Sequence, residues 1–300
     1  MYSEIAANKR KTLLLLGGFF ALIAVLAFVF GSVYGDGNYS ITIGAMIGAG
    51  IYALISYFAA SKMALGMNGA KEIQKKDDPR LWRTVENLAI TTGMPMPKVY
   101  IIHDPALNAF ATGRDPDHAV VAATSGLLKA LDDKELEGVM AHELGHVKNY
   151  DIRVSMIAFA LVAAVALMAD VMLRASFYGR AFTDDDDSPA SSGIMMVVSI
   201  VAMILAPIVA AMIQMAISRK REYLADATGA LTTRYPEGLA SALEKIRDQG
   251  STLKRQNAST AHFFISNPLK RKRKSFTALF STHPPVDDRI SKLRNMGGKL

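Results

Sequence analysis

The sequence predicts a mostly α, polytopic membrane protein, in which four transmembrane helices carry an aqueous α+β domain with a small antiparallel sheet. Three observations lead there. Of the 300 residues 51% are hydrophobic and mean hydropathy is +0.20, with the apolar residues gathered into four runs, each long enough to cross a hydrocarbon core of ~30 Å. Lys and Arg crowd one side of those runs. The polar stretches between and after them show helical and β-like spacing that a packed aqueous domain requires.

The first apolar run, Thr12 to Phe30, follows Lys9, Arg10 and Lys11. Its length and the lack of an A-x-A-like cleavage site point to a retained anchor instead of a removed signal. Ile41 to Ala60 is the second run, glycine-containing as close helix contact requires, so residues 1–60 form an N-terminal transmembrane hairpin. Residues 61–153 read as the first part of the aqueous domain. Within it Asp78 caps and Pro79 opens a helix ending at Gly93, and β-like runs follow at Val99 to Ile102, Asn108 to Thr112 and Ala119 to Ala123. An edge strand of that sheet could hold an extended peptide by main-chain hydrogen bonds, and Asn108, Ala109 and Phe110 are the residues expected to do so.

Val154 to Leu173 and Ile194 to Ile217 make the second transmembrane hairpin, residues 154–217, with the acidic link Asp184 to Asp187 between them. Residues 218–300 complete the aqueous domain. Here Pro236 to Gln249 is a helix closed by Gly250, Lys270 to Lys274 is a basic run suited to anionic headgroups or to water, and Pro285 opens a last helix. Four spans place residues 1–11, 61–153 and 218–300 on one side. Lys9, Arg10, Lys11, Lys62, Arg153, Arg219, Lys220 and Arg221 flank the spans there, against Arg174 and Arg180 on the other, which makes that side cytoplasmic. The net charge of +7 sits beside apolar segments and near the C-terminus, so the bilayer, not nucleic acid, is the expected anionic partner.

The chemistry lies in Glu135 to Asp151, ELEGVMAHELGHVKNYD. His142 and His146 are one helical turn apart on one face and can bring two imidazole nitrogens to one zinc ion, while Glu143 beside them can act as general base toward a water that the metal acidifies. Asp132 with Glu135 three residues on makes a capping box, and Leu136, Val139, Met140, Leu144 and Val147 form a buried stripe. The chain has no Cys, so thiolate ligation and disulfides are excluded and a third ligand must be His or carboxylate. Glu222 and Asp226, four apart just after the fourth run, offer one ligand and one partner for a ligand histidine.

The HELGH helix, the EYLAD segment after a membrane hairpin, NAFATG, AHFFISNP and HPPVDDRI together resemble the HtpX-type bacterial membrane metalloproteases, which are similar in turn to the CAAX prenyl endoproteases. The resemblance covers nearly the whole chain, with the motifs in order. It implies a zincin-like metalloprotease domain facing the cytoplasm of the bacterial inner membrane, one zinc per chain, and polypeptide substrates that are chiefly misfolded or damaged membrane proteins cleared in stress response and quality control. It further implies His142, His146 and Glu222 as metal ligands, Glu143 as base, Asp226 behind a ligand, His283 as a candidate donor to the oxyanion, and Arg289 in support. Antiparallel packing of the third and fourth spans would also return Glu222 to the metal. Four spans are too few for a large intramembrane chamber, which separates the expectation from prenyl-protein processing.

Overall fold

A computed structural model of the chain describes residues 2–34, 40–161, 219–250, 252–255, 260–266 and 284–297. Most of the third run, the whole of the fourth, Asp184 to Asp187, Lys270 to Lys274 and His283 lie outside the described residues. The chain divides into two compact units, Met1–Thr12 with Phe58–Met156 and Ala216–Leu300, and Leu13–Tyr57 with Ile157–Met215.

The first two apolar runs lie on helices α1 (Tyr2–Tyr34) and α2 (Ser40–Met67), whose residues 13–34 and 40–57 belong to the second unit and whose remaining ends, residues 2–12 and 58–67, belong to the first. Leu15, Phe19, Leu22 and Ile23 of α1 are buried, whereas Leu13, Leu14, Val25 and Phe28 are exposed. On α2 the exposed residues Ile43, Ile47, Ile51, Leu54 and Ile55 recur at helical spacing to make an apolar outer face. Counted over fully described residues alone, no helix is long and apolar enough to cross a membrane.

The first unit is built on a four-stranded sheet: β1 (Ala70–Glu72), β2 (Lys98–Ile102), β3 (Ala109–Gly113) and β4 (Ala119–Thr124), in the order β1-β2-β4-β3. β1 and β2 are antiparallel, β2 and β4 parallel, β4 and β3 antiparallel. The sheet is therefore mixed, which corrects the antiparallel expectation. Its cause is the insertion of β4 between β2 and β3, so that β3 becomes the edge. β3 and β4 are buried on both faces, as their unbroken small and apolar sequence requires.

Helices pack around this sheet. In α3 (Pro79–Thr92) Asp78 accepts the Leu81 N–H at 2.9 Å and Gly93 takes the left-handed conformation, φ 67°, that ends a helix. α4 (Ser125–Ala130) leads into α5 (Asp133–Lys148), where the Asp132 carboxylate accepts the Glu135 N–H at 2.9 Å and the Glu135 carboxylate accepts the Asp132 N–H at 2.8 Å. The capping box expected from sequence is complete. Leu136, Val139, Met140, Leu144 and Val147 are all buried, and α5 packs against β3, α3, α6 (Arg219–Thr233) and α7 (Pro236–Gln249). α8 (Val286–Gly297) lies on α7 and α6. The central helix of the unit is thus the one that carries the HExxH pattern.

Candidate metal centre

Two close helix contacts place the site. A side-chain carbon added at Gly229 of α6 would lie 3.0 Å from the His142 nitrogen, and one at Gly145 of α5 would lie 3.3 Å from the Ala225 oxygen. Small residues at both points let the backbones of α5 and α6 approach. Glu222 and Asp226, one turn apart on α6, then face His142 and His146 on α5.

The Nε2 atoms of His142 and His146 are 3.2 Å apart; Glu222 Oε1 lies 3.5 Å from His146 Nε2, and Oε2 lies 3.9 Å from His142 Nε2. A tetrahedral zinc ion with bonds near 2.1 Å separates its donors by about 3.4 Å, and two imidazoles with one carboxylate are a donor set it accepts. The three residues therefore fit zinc. The other ring nitrogens are taken by carboxylates, His142 Nδ1 at 2.9 Å from Asp226 Oδ1 and His146 Nδ1 at 3.0 Å from Asp151 Oδ2. Each ring is thereby held with Nε2 aimed at the common point, as metal-binding histidines require.

Burial is the largest single effect on His142, Glu143, His146 and Asp226, and it sets the direction for the first two while charged partners reverse it for the other two. It pushes the His142 imidazole down to about 4, against the pull of its hydrogen bond to Asp226. Burial acts on His146 in the same direction, but Asp151 and Glu222 together outweigh it and hold that ring up at about 9. The two Nε2 atoms lie within hydrogen-bond distance of one another, so a metal ion bound between them competes with any proton held there. Burial also raises the Glu143 carboxyl, 2% exposed, to about 7. Asp226 stays ionised, held down at about 2 although burial opposes this, because the Arg289 guanidinium donates to both its oxygens, at 2.8 and 2.7 Å.

Sequence reasoning brought together His142, His146, Glu222, Glu143 and Asp226, and the structure adds the manner in which Arg289 supports them. Fully buried on α8, it clamps Asp226 and reaches to 3.7 Å from Glu222 Oε2. His283 lies outside the described residues. On β3 the outer edge expected to receive substrate is engaged by the chain itself at its start: the Ile265 N–H donates to Ala109 O at 3.0 Å, Phe110 pairs with Phe264, and the Asn108 amide exchanges hydrogen bonds with Ser266 at 2.8 and 3.2 Å. Ala111 is the next outward-facing position, and its main chain meets the Glu143 carboxylate. Asp151 was missed by sequence reasoning. Its signal was a carboxylate five residues beyond His146, just past the end of α5.

Residues 75–297 match peptidase family M48. The sequence is 53% identical to a Protease HtpX homolog of Tropheryma whipplei (strain Twist), covering 100% of both chains. It is 46% identical to a Protease HtpX homolog of Limosilactobacillus reuteri (strain DSM 20016), covering 99% of this chain and 100% of that one. The crystal structure of S. mikatae Ste24p is similar in fold, with a TM-score of 0.52 at 18% identity over 98% of this chain and 67% of the other. Two histidines and a glutamate converging behind a buried glutamate, with full-length similarity to named proteases, lead to one conclusion: the chain belongs to peptidase family M48 and is a metallopeptidase of the HtpX type.

Proposed function

We propose that the chain is a membrane-embedded zinc endopeptidase that hydrolyses peptide bonds in misfolded or damaged membrane proteins, working from the cytoplasmic face of the bacterial inner membrane. The observation that carries the hydrolytic part is the convergence of His142 Nε2, His146 Nε2 and a Glu222 carboxylate oxygen within 4.8 Å of one another, with Glu143 buried beside them. Zinc held there supplies Lewis acidity toward a peptide carbonyl and toward water. Glu143 takes the proton from the attacking water and returns it to the leaving amine; burial favours the protonated form that the second half of this task needs, and a bound cation would favour the carboxylate that the first half needs. Arg289 keeps Asp226 ionised, and Asp226 keeps the Nδ1 proton on His142 so that Nε2 stays a ligand. His283 is assigned the oxyanion on the strength of the family resemblance. Extended substrate is assigned to β3 beyond the stretch that residues 264–266 already cover, next to Glu143.

The membrane part rests on the four apolar runs and on the outer faces of α1 and α2, where rows of Leu, Ile, Val and Phe lie exposed. Contiguous apolar surface of that kind needs a covering of lipid or protein. Digestion of an unfolded model protein by the detergent-purified chain is the direct test. Zinc-loaded wild type should cleave and a chelator should stop it, while Glu143→Gln should keep one zinc and lose cleavage by several orders of magnitude. Hydrolysis by Glu143→Gln at the wild-type rate would overturn the assignment of the base.

A further inference from the structure

The support of His146 reaches a helix remote from the motif. Asp151, which holds His146 Nδ1, is 4% exposed and is met by two more helices. Arg221 of α6 brings Nε to 3.7 Å from Asp151 Oδ1. Asn8 of α1, 2% exposed, donates through Nδ2 to Asp151 Oδ1 and to the main-chain oxygen of Asn149, both at 2.8 Å. A buried carboxylate is tolerable only when it is hydrogen-bonded and charge-paired, and Asn8 supplies the shortest contact to that oxygen.

The two acceptors of Asn8 flank a strained point. Asn149 caps α5, residues 151–161 are helical again, and Tyr150 between them has φ 61°, a left-handed conformation that a bulky side chain rarely adopts. The Lys9 ammonium lies 5.8 Å from the centre of the Tyr150 ring, and Arg153 lies 5.2 Å from it. Both neighbours of that turn contributed by α1 come from adjacent residues. The Asn149 and Tyr150 N–H groups donate back into α5, to Gly145 O and Val147 O, both at 3.1 Å, and Asn8 adds the side-chain link that ties the Asn149 carbonyl to the Asp151 carboxylate on the far side of the turn.

We propose that Asn8 is a positioning residue of the metal centre: from the first turns of α1 it clamps the Asn149–Asp151 turn, so that Asp151 fixes the His146 ring and keeps Nε2 aimed at His142 and Glu222. The inference rests on the reading of this site as a zinc centre.

The test uses the full chain in detergent, loaded with zinc and challenged with a chelator in excess, and in parallel loaded with cobalt for its visible spectrum. Removing a partner that touches a ligand costs about ten- to a hundredfold in metal affinity, and Asn8 is one bond further out. Asn8→Ala should therefore release zinc on the order of three- to tenfold faster and alter the cobalt bands. Asp151→Ala should lose more. In the double variant Asn8→Ala should add nothing to Asp151→Ala, because its effect passes through that carboxylate. Should Asn8→Ala fail to fold, Asn8→Ser, too short to bridge both acceptors, carries the same expectations. An Asn8 variant that only lowers thermal stability, with zinc release and cobalt spectrum as in wild type, would overturn the proposal, as would fully additive losses with Asp151→Ala. Wild type that retains no zinc would overturn it together with the zinc reading, whereas wild type that retains zinc beside an insensitive Asn8 variant would sink this proposal alone.

Discussion

At the scale of single residues the site separates groups that hold the metal from groups that aim them. Glu222 offers both carboxylate oxygens toward the two Nε2 atoms, whereas Asp226, one turn along α6, is drawn to His142 Nδ1 and to Arg289. Glu222→Ala should therefore lose tightly bound zinc and activity together. Asp226→Ala should weaken zinc affinity by about ten- to a hundredfold and leave a site that excess zinc refills, because the ligands themselves survive. Metal content by atomic emission after dialysis separates the two, and equal retention by both variants would contradict the division of roles. The ligands on α5 were legible because residues four apart on a helix must share a face, a rule that needs no knowledge of the fold. Asp151 and Asn8 were not, since a hydrogen bond between residues 143 positions apart leaves no periodic mark in the sequence.

At the scale of elements, the helices were the readable part and the order of the strands was not. Asp78, Pro79 and Gly93 bound α3, and Pro236 and Gly250 bound α7, where the local chemistry of capping and of proline demands. Strand neighbours are decided by distant packing, so three short β-like runs looked alike whether β4 lay outside β3 or between β2 and β3. β1, three residues of AKE with no alternation of apolar side chains, carried no signal. The contact between α5 and α6 is the element-level feature that function depends on most. A methyl group at Gly229 would stand 3.0 Å from the His142 nitrogen, backbone that cannot step aside. Gly229→Ala should push α6 outward by a few tenths of an ångström and lower zinc affinity, whereas Gly66→Ala on α2, where a methyl meets nothing within 4 Å, should not. Chelator competition on the purified variants checks this, and wild-type affinity in Gly229→Ala would show that the helix contact tolerates more slack than its distance implies.

At the scale of the whole molecule the proposed topology makes a prediction of its own, and the basic residues do not all bear on it equally. Arg221 was counted with the residues that flank the spans, but it is buried against Asp151 and serves the site, not the headgroups. Lys9 and Arg153 both stand over Tyr150, so part of their charge is also committed within the first unit. Arg10, Lys11, Lys62, Arg219 and Lys220 also flank the apolar runs on that side, against Arg174 and Arg180 between the third and fourth runs. For the topology proposed above, with residues 61–153 and 218–300 in the cytoplasm, the margin in basic residues is thus smaller than the bare count implies. Reporters fused after Leu300 and inserted near Met67 should both read cytoplasm, and one near Ser188 the opposite compartment. Replacing Lys9, Arg10 and Lys11 by Glu should then invert only a fraction of the molecules, because the inner basic residues still oppose inversion, while the loss of Lys9 from Tyr150 should lower stability in the molecules that insert correctly. Opposite readings from the Leu300 and Met67 reporters would rule out an even number of spans between them, and with it the placement of both halves of the metal centre on one face.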